Sequence, residues 1–282
     1  MTEANEESKT KIELGNVQKT LFMPLWGRAY ETRKPRGLLR DETAVRILEQ
    51  VDYDFDSLAG KMNPLSQAAW VMRSLCVDEV IHKFLEEYPD GSVVNVGCGM
   101  DTTFERVDNS RMRWYDLDLP DVIALRRNFI AENERRTMIA SSFLDEAWLD
   151  QIEVNGNVLF IAAGVLYYFE EEEIKQFFLR LARRFAGCQA LFDVASPQGV
   201  RTANQMVIER SGLDESSYLR WALQSPADLP DWGGGIRVLE VIRYFGQRGR
   251  RLPLKTRLFG LLSDYLKIQY MVHIAIDGSE DE

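Results

Sequence analysis

Residues 93–103 read V-V-N-V-G-C-G-M-D-T-T, a short apolar run followed by a glycine-rich turn. The apolar run predicts a buried strand, and Gly97 and Gly99 would let a ligand approach the backbone where that strand ends. Nineteen residues after Gly99, in the segment W-Y-D-L-D-L-P, Asp118 closes a second strand-like run. A carboxylate at this place and spacing binds the ribose hydroxyls of an adenosine cofactor. The stretch therefore predicts an α/β fold that holds an adenosine-containing molecule.

The downstream sequence repeats the alternation of strand and helix. Apolar runs at residues 93–96, 114–117, 138–140, 158–163 and 190–194 predict strands, and helical periodicity fills residues 122–136 and 170–185. Such alternation is typical of right-handed βαβ units and a parallel sheet. Two later β-rich runs, residues 236–245 and 268–276, are not separated by a clear helical pattern. They predict an antiparallel pair that closes the sheet.

The segments outside this alternation are mostly helical. Residues 15–90 show helical periods at 43–51 and 65–88, and residues 199–230 look helical and irregular, including residues 218–223. We expect one domain over residues 15–277, with an N-terminal helical cap at 15–90 and a cap insertion at 199–235. Met206, Trp221 and Trp232 would line the interior of that cap, or simply pack in the core. Residues 1–14 are expected to be disordered, and residues 278–282 to form an acidic tail.

Composition limits the possible functions. The 282 residues are 45% apolar and carry a net charge of −10, which suits a soluble globular protein and disfavours nucleic-acid and anionic-membrane partners. The basic stretch 247–255 is interpreted as a solvated loop. Three cysteines without a C-x-x-C motif predict reduced thiols, and no signal peptide or apolar run of membrane-spanning length is visible. A cytoplasmic location is expected. The two histidines lack partners at metal-ligand spacing, so no metal site is predicted.

The residues after the glycines distinguish between adenosine cofactors. A dinucleotide fingerprint requires a third glycine where Thr102 stands, and Asp101 would oppose a pyrophosphate. S-adenosylmethionine has no phosphate and carries a sulfonium and an ammonium, so it fits better than NAD. Asp101 could alternatively serve only as a helix cap, or serve both roles. An NAD-dependent oxidoreductase is therefore disfavoured.

Three motifs resemble the leucine carboxyl methyltransferase family, and in particular its bacterial tetracenomycin-type polyketide O-methyltransferase branch. They are V-G-C-G-M-D-T at residues 96–102, W-Y-D-L-D-L-P-D-V-I at 114–123 and G-V-L-Y-Y-F at 164–169. The resemblance covers roughly residues 16–275. It implies a Rossmann-like class I methyltransferase with a seven-stranded, mostly parallel sheet, an antiparallel last strand and a helical cap. It also implies methyl transfer to a carboxylate or hydroxyl of a small molecule, in polyketide or other secondary metabolism.

The resemblance also suggests residue roles. Arg73 matches the arginine that binds the methionine carboxylate, Gly97 lines the methionyl group, and Asp118 holds the ribose. Where the family usually has Asp-Leu to read adenine, this chain has Ser142 and Phe143. Ala163 replaces the glutamate that faces the cofactor's ammonium. The replacement implies a lower cofactor affinity, another acid such as Asp101 in the same role, or a changed substrate.

No dedicated catalytic residue is expected, because positioning supplies most of the acceleration in methyl transfer and an ionised carboxylate needs no base. Tyr30, Tyr168 and Arg201, together with Arg28 and Tyr167, are candidates to line the acceptor site. The substitution at Ala163 leaves an alternative open, a non-catalytic methyltransferase-like binding protein. The sequence leaves both a monomer and a dimer possible.

Overall fold

The computed structural model of the chain describes residues 16–52, 54–55, 63–205 and 218–278, with side chains from residue 21 onward. Within these ranges the strands are β1 Ser92–Val96, β2 Arg113–Asp118, β3 Arg136–Ala140, β4 Val158–Ala162, β5 Cys188–Val194, β6 Ile236–Arg243 and β7 Tyr270–Ile276. The α-helices are α1 Asn16–Thr32, α2 Glu42–Gln50, α3 Pro64–Glu87, α4 Thr103–Val107, α5 Pro120–Arg126, α6 Glu171–Arg184, α7 Pro197–Ala203 and α8 Leu254–Tyr265. Short 3-10 turns occur at Leu149–Gln151, Leu166–Tyr168, Pro226–Trp232 and Arg248–Arg251.

The strands form one seven-stranded sheet in the order β3-β2-β1-β4-β5-β7-β6. Strands β1 to β5 pair in parallel, whereas β7 lies antiparallel between β5 and β6. The predicted parallel sheet with an antiparallel last strand is confirmed. The strand order reverses between β1 and β4, and ligands in such sheets bind beyond the carboxyl ends of the strands at this switch point. The glycine-rich turn after β1 lies at that position.

The central strands read as unbroken apolar runs because both faces of the sheet are covered. All five residues of β1 and of β4 are buried. Val94 and Phe160 belong to the core on one face, with α6, while Val93 and Leu159 belong to the core on the other face, with α3. This double burial is what strands of a parallel sheet require.

The N-terminal helices lie against the glycine-rich turn. Phe22 and Leu25 of α1 and Ile47 of α2 share a buried cluster with Cys98 and Met100 of the turn. The helical interpretation of this region is confirmed over the described residues. All three cysteines are buried and unpaired, as expected of reduced thiols. Among the described helices, none is both long enough and apolar enough to cross a membrane.

Two helix predictions were wrong in part. The helix expected over residues 122–136 ends at Arg126, and Arg136 already begins β3. The reason is that Arg126 and Arg136 both turn into the core, where their guanidinium groups contact the Asp116 carboxylate. Residues 218–223 are not helical but irregular, because the amides of Arg220 and Leu223 bond to carbonyls of distant segments.

Two of the residues proposed to line a cap interior, Trp221 and Trp232, pack in the main core. Trp221 is buried in the main core, 6.4 Å from Phe192 and 6.0 Å from Trp232 between ring centroids. Both tryptophans therefore pack in the core of the sheet. Met206 lies outside the described residues, as do residues 1–14 and most of the acidic tail.

The interpretation of residues 247–255 as a solvated loop was also incomplete. The segment forms the turn Arg248–Arg251 and then leads into α8, a helix that the sequence patterns did not indicate. Arg248 pairs with Glu79 of α3, and Arg251 donates to the backbone carbonyls of Arg36 and Gly37. The basic side chains thus serve packing contacts within the fold.

Candidate cofactor-binding site

The backbone of the turn after β1 requires glycine. Gly97 and Gly99 have φ values of +62° and +46°, which L side chains rarely adopt. The Gly97 amide donates to the Leu117 carbonyl at 2.7 Å, which holds the turn against the end of β2. A Cβ atom on Gly97 would lie 2.5 Å from Cγ2 of Val165. At Gly97 the turn therefore has only main-chain atoms next to Val165, in the loop that follows β4.

Asp118 lies at the carboxyl end of β2, where the ribose of an adenosine cofactor was expected. Its Oδ2 atom accepts from the Gly99 amide at 2.7 Å, and its Oδ1 atom accepts from the Leu119 amide at 2.8 Å. Burial raises the pKa of this carboxyl above its ordinary value. The side chain remains partly exposed, and each oxygen keeps a second lone pair. The carboxylate is therefore oriented to accept two further hydrogen bonds.

The buried side chain of Arg126 holds the glycine-rich turn in place. Arg126 donates from Nη1 to the Gly99 carbonyl at 2.8 Å and from Nη2 to Asp116 Oδ2 at 3.1 Å. Arg136 donates to the same Asp116 oxygen at 2.8 Å. No role for Arg126, Arg136 or Asp116 was predicted from the sequence. The available signal was a pair of arginines just after D-L-P, together with a second acid inside the buried β2 run.

Asp101 lies one residue before Thr102, the N-cap of α4, and its carboxylate bonds to the start of that helix. Its Oδ2 atom accepts from the Thr103 amide at the start of α4 and from Asn95 Nδ2, both at 3.1 Å. Its Oδ1 atom lies 3.7 Å from Arg28 Nη2. Burial alone would raise its pKa, but the charges of Arg28 and Arg106 outweigh that effect and hold the pKa of Asp101 well below its usual range. The negative charge proposed for a cationic ligand is thus largely countered by arginine.

Arg28 is not an accessible lining residue. Its side chain is 4% exposed and donates to Asp41 Oδ2 at 2.9 Å and to the Met100 carbonyl at 3.2 Å. Asp41 also accepts from Arg106 at 2.8 Å and from Thr102 at 2.6 Å. Arg28 therefore ties α1 to the glycine-rich turn.

Arg73 lies at the opposite end of the site. Its Nη1 atom is 3.2 Å from Oδ2 of Asp193, which lies near the end of β5. Asp193 also accepts from the Gly164 amide at 2.6 Å and from the Tyr244 hydroxyl at 3.2 Å. Burial alone would lower the pKa of Arg73, but the charge of Asp193 raises it well above its usual range. The Arg73 side chain is 13% exposed, so it is not fully closed off by these contacts.

Asp193 was missed by the sequence analysis. It lies one strand away from Ala163, the position where the resemblance implied a glutamate. Ala162 pairs with Phe192, so Ala163 and Asp193 follow at the same level of β4 and β5. The usable signal was an acid inside the buried run A-L-F-D-V.

The two residues proposed to read adenine differ in their surroundings. Ser142 is partly exposed, and its hydroxyl accepts from the Leu144 amide at 3.2 Å. Phe143 is 6% exposed, and its ring lies edge-on to Phe169 and Phe177, with centroids 4.6 and 5.1 Å away. Phe143 is thus mainly a core residue, whereas Ser142 lies near the carboxyl edge of the sheet.

The remaining candidates and the two histidines differ in exposure and contacts. Tyr168 is 37% exposed, and the charge of Arg73 acts on its hydroxyl. Tyr167 beside it is buried. Tyr30 stacks on Trp26 with ring centroids 5.2 Å apart, and Arg201 is exposed on α7. His82 is exposed, and His273 Nε2 lies 2.8 Å from Gln189 Oε1. The described part of the chain contains no group of His, Cys, Asp and Glu side chains that could hold a metal ion.

Comparison with known proteins places this arrangement among methyltransferases. Residues 22–182 match the leucine carboxyl methyltransferase family. The chain is 31% identical over 230 residues to the tetracenomycin polyketide synthesis O-methyltransferase TcmP of Streptomyces glaucescens, covering 81% of this chain and 83% of that protein. It is 25% identical over 191 residues to the S-adenosyl-L-methionine-dependent methyltransferase dpfgK of Gibberella zeae, covering 63% and 64% of the two chains.

Solved structures agree on the fold. A protein from Thermobifida fusca described as a methyltransferase superposes with a TM-score of 0.57 at 17% identity, covering 90% of this chain and 94% of that chain. A DUF574 family protein from Streptomyces avermitilis superposes with a TM-score of 0.56 at 11% identity, covering 88% and 96%. At such identities the likeness concerns the fold alone.

Proposed function

The chain belongs to the leucine carboxyl methyltransferase family, and we propose that it transfers a methyl group from S-adenosylmethionine to a carboxylate oxygen of a small molecule. It is an S-adenosylmethionine-dependent methyltransferase. The observation that carries the proposal is the Asp118 carboxylate, which Gly99 and Leu119 hold at the end of β2 beside two glycines with positive φ.

The residues at the switch point fit this cofactor. Asp118 would bind the ribose hydroxyls through its free lone pairs, and the partly exposed side chain of Arg73 would bind the methionine carboxylate. Gly97, between Asp118 and Arg73, has only main-chain atoms to offer the cofactor, since a side chain there would collide with Val165. Ser142, near the end of β3, is proposed to bond the adenine through its hydroxyl or backbone.

When bound, S-adenosylmethionine supplies an electrophilic methyl carbon on a sulfonium, and transfer is an in-line displacement by the acceptor oxygen. The chain's contribution is to bind both molecules in line and to exclude water, which lowers the barrier through orientation. No proton needs to move if the acceptor oxygen is already ionised.

The protonation states and contacts of the side chains near Arg73 fit an acceptor that is already ionised and needs no base. Burial raises the pKa of Tyr167 far above its ordinary value and raises that of Tyr168 as well, so both remain protonated near neutral pH. Asp193 is held by Arg73, Tyr244 and the Gly164 amide. Neither tyrosine nor Asp193 is therefore free to act as a general base beside Arg73. A carboxylate acceptor needs none, whereas a phenol would.

Asp193 also bears on the alternative of a non-catalytic binding protein. That alternative arose because Ala163 replaces an acid. Asp193 supplies a carboxylate one strand away, at the same level of the sheet. Because Asp193 is fully buried and bonded to Arg73, we propose that it positions Arg73 and does not itself face the ammonium, and that the site remains catalytic without the glutamate.

The acceptor class we propose is an aromatic or polyketide-type carboxylic acid. Support comes from the 31% identity with an O-methyltransferase of tetracenomycin polyketide synthesis. The segments at residues 15–90 and 199–235 are proposed to cap the acceptor, since α1 and α2 already cover the glycine-rich turn. Cytoplasmic location is part of the proposal.

The test has two arms. Isothermal titration should detect S-adenosylmethionine binding, and Asp118→Asn should weaken it. Incubation with the labelled methyl donor and a panel of aromatic carboxylic acids and their phenol analogues should yield methyl esters, detected by mass spectrometry. For a carboxylate acceptor, kcat/KM should stay flat from about pH 6 to 9, above the carboxylate pKa. A rate that rises with pH, or methyl ethers without esters, would contradict the carboxylate assignment.

A further inference from the structure

Helix α8 exposes its apolar side to solvent. Leu254, Leu258, Leu261, Leu262 and Tyr265 are between 38% and 80% exposed, and Phe259 beside them is 51% exposed. These six residues make up half of the large apolar side chains that are exposed in the described part of the chain. A patch of this kind on a monomer usually marks an interaction site. We call Leu254, Leu258, Leu261, Leu262 and Tyr265 the outward stripe.

The inner side of α8 is fixed by small and polar residues. Gly260 is buried, and a Cβ atom there would lie 2.4 Å from the Phe245 ring. Asp264 is also buried, and it accepts from the Phe245 amide at 3.1 Å and the Gly246 amide at 2.8 Å. The helix therefore cannot rotate to bury its leucines without losing both contacts. Its orientation is specified by the fold, and the outward stripe is left for a partner.

The spacing of the outward stripe indicates that the partner is a helix. Leu254, Leu258, Leu261 and Tyr265 are separated by four, three and four residues. This spacing forms the narrow seam through which two helices pack along their length.

The same spacing is symmetric about a point between Phe259 and Gly260. In an antiparallel pair of α8 helices related by a two-fold axis at that point, Leu254 faces Tyr265 of the other copy and Leu258 faces Leu261. A two-fold interface requires this self-complementary pattern. The six exposed side chains offer on the order of 600 Å², most of the roughly 800 Å² that each partner buries in a stable interface.

The charges near the outward stripe favour a second copy over an anionic partner. Arg248 and Arg251 are already bonded to Glu79 and to backbone carbonyls, and Arg257 is partly buried. The remaining exposed basic residues in or next to α8 are Arg250, Lys255 and Lys267. They are fewer than the about 4–8 basic residues that typically bind an anionic membrane. In the antiparallel pair, the two copies of Lys255 lie about 13 Å apart along the helix axis. This separation exceeds the Debye length of roughly 8–10 Å, so salt largely screens the repulsion between the two ammonium groups.

We infer that the protein forms a two-fold homodimer through antiparallel packing of α8 against α8 of a second copy. Sedimentation velocity of the full chain should show a dimer that dissociates on dilution. Leu258→Glu combined with Leu261→Glu should make the protein monomeric, while circular dichroism and titration with S-adenosylmethionine remain unchanged. Leu239→Glu combined with Val241→Glu is the matched control, because both residues are 44% exposed on β6, and it should remain dimeric.

Crosslinking tests the register without relying on charged variants. A mixture of Leu254→Cys and Tyr265→Cys proteins should crosslink with a short bismaleimide, whereas Leu254→Cys alone should not, because its two copies would lie about 16 Å apart. The native cysteines are buried and should give little background. A monomeric wild-type protein, a dimer insensitive to the α8 variants, or binding to anionic vesicles in place of dimerisation would overturn the inference.

Discussion

Arg73 and Asp193 form an ion pair that joins α3 to the end of β5, with 3.2 Å between Nη1 and Oδ2. The two residues are 120 positions apart in the chain. The carboxylate also holds the Gly164 amide, and Gly164 packs against the Arg73 guanidinium so closely that a Cβ atom would lie 2.7 Å from Nη1. We propose that Asp193 is a positioning residue, which orients Arg73 toward the carboxylate end of the cofactor.

Asp193→Asn should reduce the free energy of unfolding by about 2–4 kcal/mol, because it leaves the Arg73 charge without its buried partner. Denaturant unfolding monitored by circular dichroism measures the loss. Asp277→Asn is the matched control, since it breaks the exposed pair with Arg237 and should cost less than about 1 kcal/mol. Equal losses in the two variants would mean that the Arg73–Asp193 pair contributes no more than a surface contact.

Asp118→Ala should weaken S-adenosylmethionine binding by about 1–3 kcal/mol, through the loss of charged hydrogen bonds to the ribose. Isothermal titration gives the dissociation constant directly. Asp121→Ala removes an exposed carboxylate three residues away and should leave the affinity unchanged. An Asp118→Ala protein that folds normally and binds like the wild type would show that the ribose lies elsewhere.

Gly97→Ala should destabilise the fold by about 2–4 kcal/mol, because it combines a strained positive φ with a collision at Val165. Gly187→Ala provides the comparison, since Gly187 has a φ of +85° but open space around the missing Cβ. Gly187→Ala should cost only the backbone strain, about 1–2 kcal/mol. Thermal unfolding of both variants separates the two effects, and a Gly97 variant no worse than the Gly187 variant would contradict the close approach.

Stability should fall in mild acid because of His273. Burial, helped by the nearby charge of Lys83, lowers the pKa of His273 to about 4. In the unfolded chain, His273 binds a proton near its ordinary pKa of about 6.5. The stabilisation that the neutral His273 gives the folded state is therefore complete above pH 6.5 and is lost as the pH falls toward 4. The expected loss by pH 4 is about 3 kcal/mol.

Denaturant midpoints measured from pH 7 to pH 4 test this expectation. His273→Gln should show a shallower decline than the wild type. His82→Gln, which changes the exposed histidine on α3, should follow the wild-type curve. Identical profiles for all three proteins would place the acid sensitivity in the carboxylates instead.

The sheet and the glycine-rich turn could be predicted from the sequence, because both follow from local rules. Buried β1 and β4 are continuous apolar runs, the positive φ at Gly97 and Gly99 needs glycine, and the position of Asp118 follows from its place at the end of β2. Features that depend on contacts between distant segments became visible in the folded chain. The fold pairs Arg73 with Asp193, buries Arg28 and Arg126 behind the turn, and places Trp221 in the core.

Helix α8 shows the physical reason for this division. Periodicity indicates which side of a helix is apolar, but not whether that side faces the protein. Here Gly260 and Asp264 are anchored by Phe245 and Gly246, residues of a different segment, so the leucines face outward. Local geometry is encoded within a few residues, whereas the direction in which a side chain points depends on what the rest of the chain brings beside it.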